Sequence, residues 1–215
     1  MTSTGQNLDS APELLPAQKA PVTPEEVWAD LMEGNGRFQA GNPAPREFIH
    51  RRKSLTAGQR PRVIMLGCSD SRVCPSTLFD QDLGNLFVIR TAGNVADPVA
   101  LGSIEYAAEV IGAGLLVVLG HENCGAVATA AAGGAVPTAN LESIVAKIRP
   151  ALEKVKGQAE GDEFIRLAER ANVRQSARDV LRNSPLLQQK VEAGKLTVIK
   201  ALYRMSTGQI FRLPE

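Results

Sequence analysis

Three short apolar runs punctuate the first half of the chain, and each stops at a residue that carries chemistry. "RVIMLG" (62–67) runs into Cys68, "NLFVIR" (85–90) closes on Arg90, and "GLLVVLG" (114–120) runs into His121. Their unbroken Val, Ile and Leu content predicts strands buried on both faces, as in a parallel sheet. Between them the period changes to that of helices. "PSTLFDQ" opens on a proline. "DPVALGSIEYAAEVIG" has Asp97 as cap and Pro98 in its first turn, with Leu101, Ile104, Ala108 and Ile111 on one side. Strands alternating with helices predict an α/β fold with a central, mostly parallel β-sheet flanked by helices.

The ends of the chain add two features. "TPEEVWADLMEGNGRFQAGN" starts a helical arm, with Thr23 as cap, Pro24 at the first helical position and Glu26 closing a capping box. Val27, Leu31 and, past a break expected at "GNG", Phe38 form its apolar side. Residues 1–22 are rich in Pro, Ala, Ser and Gln and lack periodicity, so they read as a flexible N-terminal arm before a single domain over 23–215. Beyond His121 the pattern is mostly helical until two alternating runs flank "MSTGQ", which predicts a C-terminal hairpin.

Composition narrows the function. The 215 residues suffice for one core without disulfide staples. Lys+Arg (24) and Asp+Glu (23) nearly cancel, which argues against nucleic acid or an acidic membrane surface as partner. No apolar stretch is long enough to span a bilayer. The first residues have neither the basic nor the apolar region of a secretory signal, so cytoplasmic residence is the expectation. Three cysteines at scattered spacings favour metal binding or a reactive thiol over a disulfide framework.

Ligands of open α/β sheets bind at the carboxyl ends of strands. Cys68 and His121 fall at two such ends, and Cys124 follows His121 by three residues in "GHENCGA". Two thiolates and an imidazole are a natural zinc set, and a cation compensates the cost of buried thiolate charge. The bland alternative is that these cysteines are small buried hydrophobes. Other thiol chemistries lack their residues: a cysteine phosphatase loop needs arginine where Cys74 stands, and there is no Cys-x-x-Cys. Cys74 leaves two zinc readings open. As a fourth ligand it would make a closed, structural site; without it the site stays open for chemistry. An open site gives Asp70 and Arg72 a purpose, with Asp70 orienting a water and Arg72 holding Asp70 ionised and aimed.

"CSDSR" followed about fifty residues later by "GHENCGA" resembles the β-class carbonic anhydrases, over a stretch from "LMEGNGRFQAG" to "GHENCGAV" and more weakly to the terminal hairpin. The resemblance implies reversible hydration of carbon dioxide to bicarbonate by zinc-bound hydroxide, with one zinc per chain on Cys68, His121 and Cys124 and an Asp70–Arg72 dyad. It assigns Gln59 to a hydrogen bond to substrate across a dimer interface, Phe87, Tyr106 and Ala92 to the walls of a narrow apolar pocket, and the Gly125 N–H to holding substrate near the metal. It implies a homodimer or a dimer of dimers.

Some members of that class inactivate themselves by placing the dyad aspartate on zinc, with bicarbonate bound beside a tryptophan, an arginine and a tyrosine. Here Arg90 and Tyr203 match but Met65 stands at the tryptophan position, so Asp70 is expected off the metal at neutral or alkaline pH. His50, in "EFIHRRK", is the only histidine besides His121 and a weak candidate for a proton shuttle. Two other functions compete: a structural-zinc scaffold using Cys74, and a sister hydrolase acting on carbon disulfide.

Overall fold

The computed structural model describes residues 23–214; the arm expected over 1–22 lies outside them. Strands β1 (Val63–Cys68), β2 (Leu86–Thr91), β3 (Leu115–His121), β4 (Thr197–Tyr203) and β5 (Ile210–Arg212) form one sheet in the order β2–β1–β3–β4–β5. The first four run parallel and β5 is antiparallel to β4. The expected C-terminal hairpin is therefore present. Its turn is held by the Arg204 N–H on the Gln209 carbonyl and the Gly208 N–H on the Arg204 carbonyl.

Alternate side chains of the strands feed two apolar layers. Ile64, Leu66, Leu116 and Val118 pack beneath helices α4 (Pro98–Tyr106), α7 (Gly161–Arg182) and α8 (Pro185–Glu192) through Ile104, Val173 and Leu187. Val63, Met65, Leu115 and Val117 meet Val27 and Leu31 of α1 (Pro24–Gln39) and Leu78 of the short α3 (Pro75–Leu78). A third layer, from α5 (Gly125–Ala132), α6 (Ala139–Glu153) and α7, closes over Cys68 and Cys124.

Strands β1 and β3 are neighbours, but the chain leaves β1 for β2 on one side and β3 for β4 on the other. That divergence opens a crevice at their carboxyl ends, where Cys68 closes β1 and His121 closes β3.

The structure corrects two expectations. β1 and β3 are buried along their whole length, but β2 is only half-buried, with Val88 exposed, because it is the edge strand. The helix predicted to break at "GNG" instead runs unbroken from Pro24 to Gln39, with the capping box as expected. Its first glycine serves close approach: a Cβ on Gly34 would sit 1.9 Å from the Phe79 carbonyl oxygen. Asn35 is fully buried and fully bonded. Its amide donates to the Leu78 and Gly208 carbonyls, and its oxygen accepts from the Ile210 N–H, all at 2.9 Å. A triplet with the composition of a turn is thus the point where α1 is tied to α3 and to the C-terminal hairpin.

Candidate metal centre

Cys68 ends β1, His121 ends β3, and Cys124 stands at the cap of α5 three residues beyond. All three are buried, and one ligand atom from each lies within 4.8 Å of the others. The donor set fits zinc on two grounds. His121 Nδ1 lies 2.9 Å from the Glu122 carbonyl oxygen, which can only accept, so the proton is on Nδ1 and Nε2 carries the lone pair. That Nε2 is buried and has no partner among the described residues. Between the sulfurs, hydrogen bonding from Cys124 pulls the Cys68 thiol far down, helped by His121 and the Gly93 N–H, while Cys124 is pushed up by donating that hydrogen bond and by burial. Two neighbouring thiolates buried together repel each other. A dication is what allows both to be thiolates together.

The carboxylate beside this group belongs to Asp70, and Arg72 holds it. The Arg72 backbone N–H and Nε both donate to Oδ1 at 2.9 Å, and Nη2 donates to Oδ2 at 2.7 Å. Nη2 also reaches the Asn123 carbonyl at 3.2 Å, which ties the dyad to the loop between the histidine and the second cysteine. These bonds hold the Asp70 carboxyl well below the usual carboxylate range. Arg90 supports the same segment from β2, donating to the Cys68 carbonyl at 2.9 Å and the Asp70 carbonyl at 2.6 Å.

A match to the family described as "Carbonic anhydrase" covers residues 63–210. The carbonic anhydrase of Mycolicibacterium smegmatis is 42% identical over 193 residues, covering 87% of this chain and 92% of that protein. Carbonic anhydrase 2 of Mycobacterium tuberculosis is 38% identical over 194 residues, with the same coverage. The solved structure of the beta-carbonic anhydrase CcaA, 26% identical, superposes with a TM-score of 0.67 over 86% of each chain. The chain belongs to the β-class carbonic anhydrase family. Membership makes it a carbonate dehydratase, a lyase. One of two tetrameric beta-carbonic anhydrases from Sordaria macrospora, 23% identical, shares the fold with a TM-score of 0.71 over 89% of this chain and 93% of that one.

As a β-carbonic anhydrase the chain places its other predicted residues as follows. The Phe87 and Tyr106 rings lie together, centroids 6.2 Å apart. Gln59 and Tyr106 line one open cleft of about 680 Å³ with Val110 and Ile111, and none of the three metal-site residues borders it. Within a single chain, therefore, Gln59 and the metal group are not brought together. Ala92 begins the turn Ala92–Asn94, whose Gly93 N–H donates to Cys68 Sγ at 3.3 Å. Gly125 is the exposed first residue of α5. His50 is exposed on α2 (Phe48–Ser54). Met65 and Tyr203 share one apolar layer.

Cys74 is the fourth ligand of the closed-site alternative. It is exposed at the cap of α3, outside the Cys–His–Cys group. Val73 fills the core position beside it instead.

One group escapes a reading of motifs. Glu169 of α7 is 3% exposed and accepts the Cys124 N–H at 3.0 Å. Burial pushes its carboxyl up, and the Cys124 N–H pulls the other way. "ERANVRQSARDV" reads as an ordinary polar helix face, and nothing local links it to a cysteine 45 positions earlier. The available signal was a spacing. Glu169, Asn172 and Ser176 fall on the same side of α7 as Val173 and Val180.

Proposed function

We propose that this chain catalyses the reversible hydration of carbon dioxide to bicarbonate, with one zinc per chain held by Cys68, His121 and Cys124. The observation that carries the reading is a buried three-ligand set at a sheet switch point, beside a carboxylate that is held ionised and lies outside the set. Three protein ligands leave a position for chemistry, whereas a fourth would close the site. Bound zinc supplies the Lewis acidity that lets water act as a nucleophile near neutral pH.

The chain's own residues supply direction. Asp70 Oδ1 accepts two hydrogen bonds and Oδ2 one, so Oδ2 keeps a free lone pair with which to accept a proton-bearing bond from the attacking water. Arg72 keeps that carboxylate aimed, because a two-point guanidinium contact resists rotation. Phe87 and Tyr106 offer the apolar wall that a small, uncharged, linear substrate needs, with Ala92 and the Gly125 N–H at the metal-side end. Gln59 acts on the substrate from a partner subunit.

Exposed apolar side chains support that assembly. Phe48, Ile49, Val88, Tyr106 and Val110 are all exposed, and Val88 lies on the unpaired edge of the sheet. A homodimer through this face, or a dimer of such dimers, follows. The near-balanced charge and the lack of any helix among the described residues long and apolar enough to cross a membrane favour a small-molecule substrate over nucleic acid or lipid. Three unpaired thiols favour a reducing compartment, hence the cytoplasm.

The exposed position of Cys74 speaks against the scaffold reading. Variants test the site directly. Cys68→Ser and Cys124→Ser should lose zinc and carbon dioxide hydration together, and Cys74→Ser should keep both. Zinc lost with Cys74→Ser contradicts the open site. The same assay run with carbon disulfide separates a sister hydrolase.

A further inference from the structure

The buried face of α7 is polar where it should be apolar. Glu169, Asn172 and Ser176 are 3%, 1% and 3% exposed, spaced i, i+3 and i+7 around Val173. Glu169 is directed at a cysteine backbone, and Asn172 and Ser176 at the turn that contacts the other buried sulfur. Glu169 Oε1 accepts the N–H of Cys124 itself at 3.0 Å. Asn172 Nδ2 donates to the Gly93 carbonyl at 2.8 Å, and the N–H of that same Gly93 donates to Cys68 Sγ at 3.3 Å. Ser176 Oγ accepts from Asn94 Nδ2 at 3.3 Å.

The segment so held is a tight turn, spanned by the Thr91 hydroxyl donating to the Val95 carbonyl at 2.7 Å. Gly93 and Asn94 have φ of +69° and +48°, two left-handed residues in succession, and Asn94 bears the side-chain cost of that conformation. The helix is also close enough to β3 that a Cβ on Gly120 would lie 2.3 Å from Val173 Cγ2, so its register against the site is set by packing.

These contacts are expensive as stability devices. The Asn172 Oδ1 is buried without a partner among the described residues, and Glu169 keeps a carboxyl in a place that disfavours its charge. Apolar residues of similar volume would avoid both costs. What the polar groups obtain in exchange is the placement of both sulfurs from one rigid element.

We propose that α7 is the positioning element of the metal centre. Glu169 fixes Cys124 through its backbone, and Asn172 fixes Cys68 through Gly93. The inference rests on the zinc reading above and adds residues that touch neither metal nor substrate.

The test is the rate of zinc loss to an excess of chelator from the purified, zinc-loaded protein, together with the sulfur-to-cobalt charge-transfer band of the cobalt-substituted form. Outer-sphere partners of metal ligands are typically worth about 10–100-fold in affinity, so Glu169→Ala and Asn172→Leu should each release zinc at least about tenfold faster and shift the band. Glu169→Gln keeps an oxygen that accepts the Cys124 N–H and should stay within about threefold of the parent. Release rates within about threefold for both disruptive variants, with the band unmoved, overturn the proposal while leaving the zinc site intact. If Glu169→Ala does not fold, Asn172→Leu and Ser176→Ala decide by the same criterion. A parent chain that holds no zinc overturns both the site reading and the proposal.

Discussion

Arg72 grips Asp70 at three points, with its backbone N–H and Nε on Oδ1 and its Nη2 on Oδ2. The two residues are separated only by Ser71, so the turn after β1 builds the pair locally, and Nη2 anchors it further to the Asn123 carbonyl. The expected consequence is that Arg72→Lys is not conservative. An ammonium cannot span both carboxylate oxygens in one plane. Arg72→Lys should lower carbon dioxide hydration by about 100-fold, the low end for a misplaced proton-handling group, with zinc content unchanged. Stopped-flow rates against metal content measure this. Near-parental turnover would remove Arg72 from the mechanism.

Asp80 gives a pH-dependent stability prediction remote from the metal. Its side chain is 1% exposed and accepts from Arg37 Nε at 2.6 Å, from Arg46 and from the Ala44 N–H at 2.9 Å. Burial alone would push its carboxyl up, but these three donors outweigh it and hold it below the usual range. A carboxyl with a depressed folded pKa stabilises above its unfolded value of about 4, and that contribution is lost as pH falls through the folded value. Asp80→Asn should therefore cost about 2–3 kcal/mol at pH 7, less than a wholly buried pair because Arg37 is half-exposed. The difference from the parent should shrink as pH falls below about 4. Urea denaturation at pH 7 and pH 3.5 measures both; an equal gap at the two values contradicts the assignment.

Two glycines two residues apart should respond in opposite directions. Gly34 has the Phe79 carbonyl where a Cβ would go, while a Cβ on Gly36 meets nothing within 4 Å. Gly34→Ala should destabilise by about 3 kcal/mol or more. Gly36→Ala, on an exposed turn of the same helix, should stabilise by about 0.5–1 kcal/mol through helix propensity. Thermal melts of the two variants suffice, and a shared sign would mean that α1 breaks near "GNG" after all.

That triplet marks where legibility ended. The strands, the grouping of Cys68, His121 and Cys124 and the pairing of Asp70 with Arg72 were readable because each signal is local: an apolar run ending in "CSDSR" or "GHENCGA" carries its geometry in adjacent positions. "GNG" has the composition of a turn, and only the distant Leu78, Gly208 and Ile210 make it helical, by bonding Asn35. The edge position of β2 depends on strand order, which an apolar run does not encode. The exposure of Cys74 depends on how the chain turns into α3, which its neighbours in sequence do not encode. The α7 contacts to Cys124 and Gly93 are longer-range still, and buried polar residues in a helix resemble a solvated face until the packing is known.

Thiol reactivity should report the metal. Cys74 is exposed, while Cys68 and Cys124 are buried in the ligand group. With zinc bound, a disulfide reagent should titrate one of the three thiols rapidly, and Cys74→Ser should abolish that fast phase. After chelation the remaining two should react more slowly than Cys74 but within the experiment, since the cation no longer occupies their lone pairs. A fast phase that survives in Cys74→Ser would place a ligand cysteine outside the site.

Catalysis by a three-ligand zinc site is decided by stopped-flow carbon dioxide hydration on protein of measured zinc content. The expected result is one zinc per chain and a hydration rate that scales with zinc occupancy, falls on chelation and returns on adding zinc. One zinc per chain with no hydration above the buffer background would contradict it.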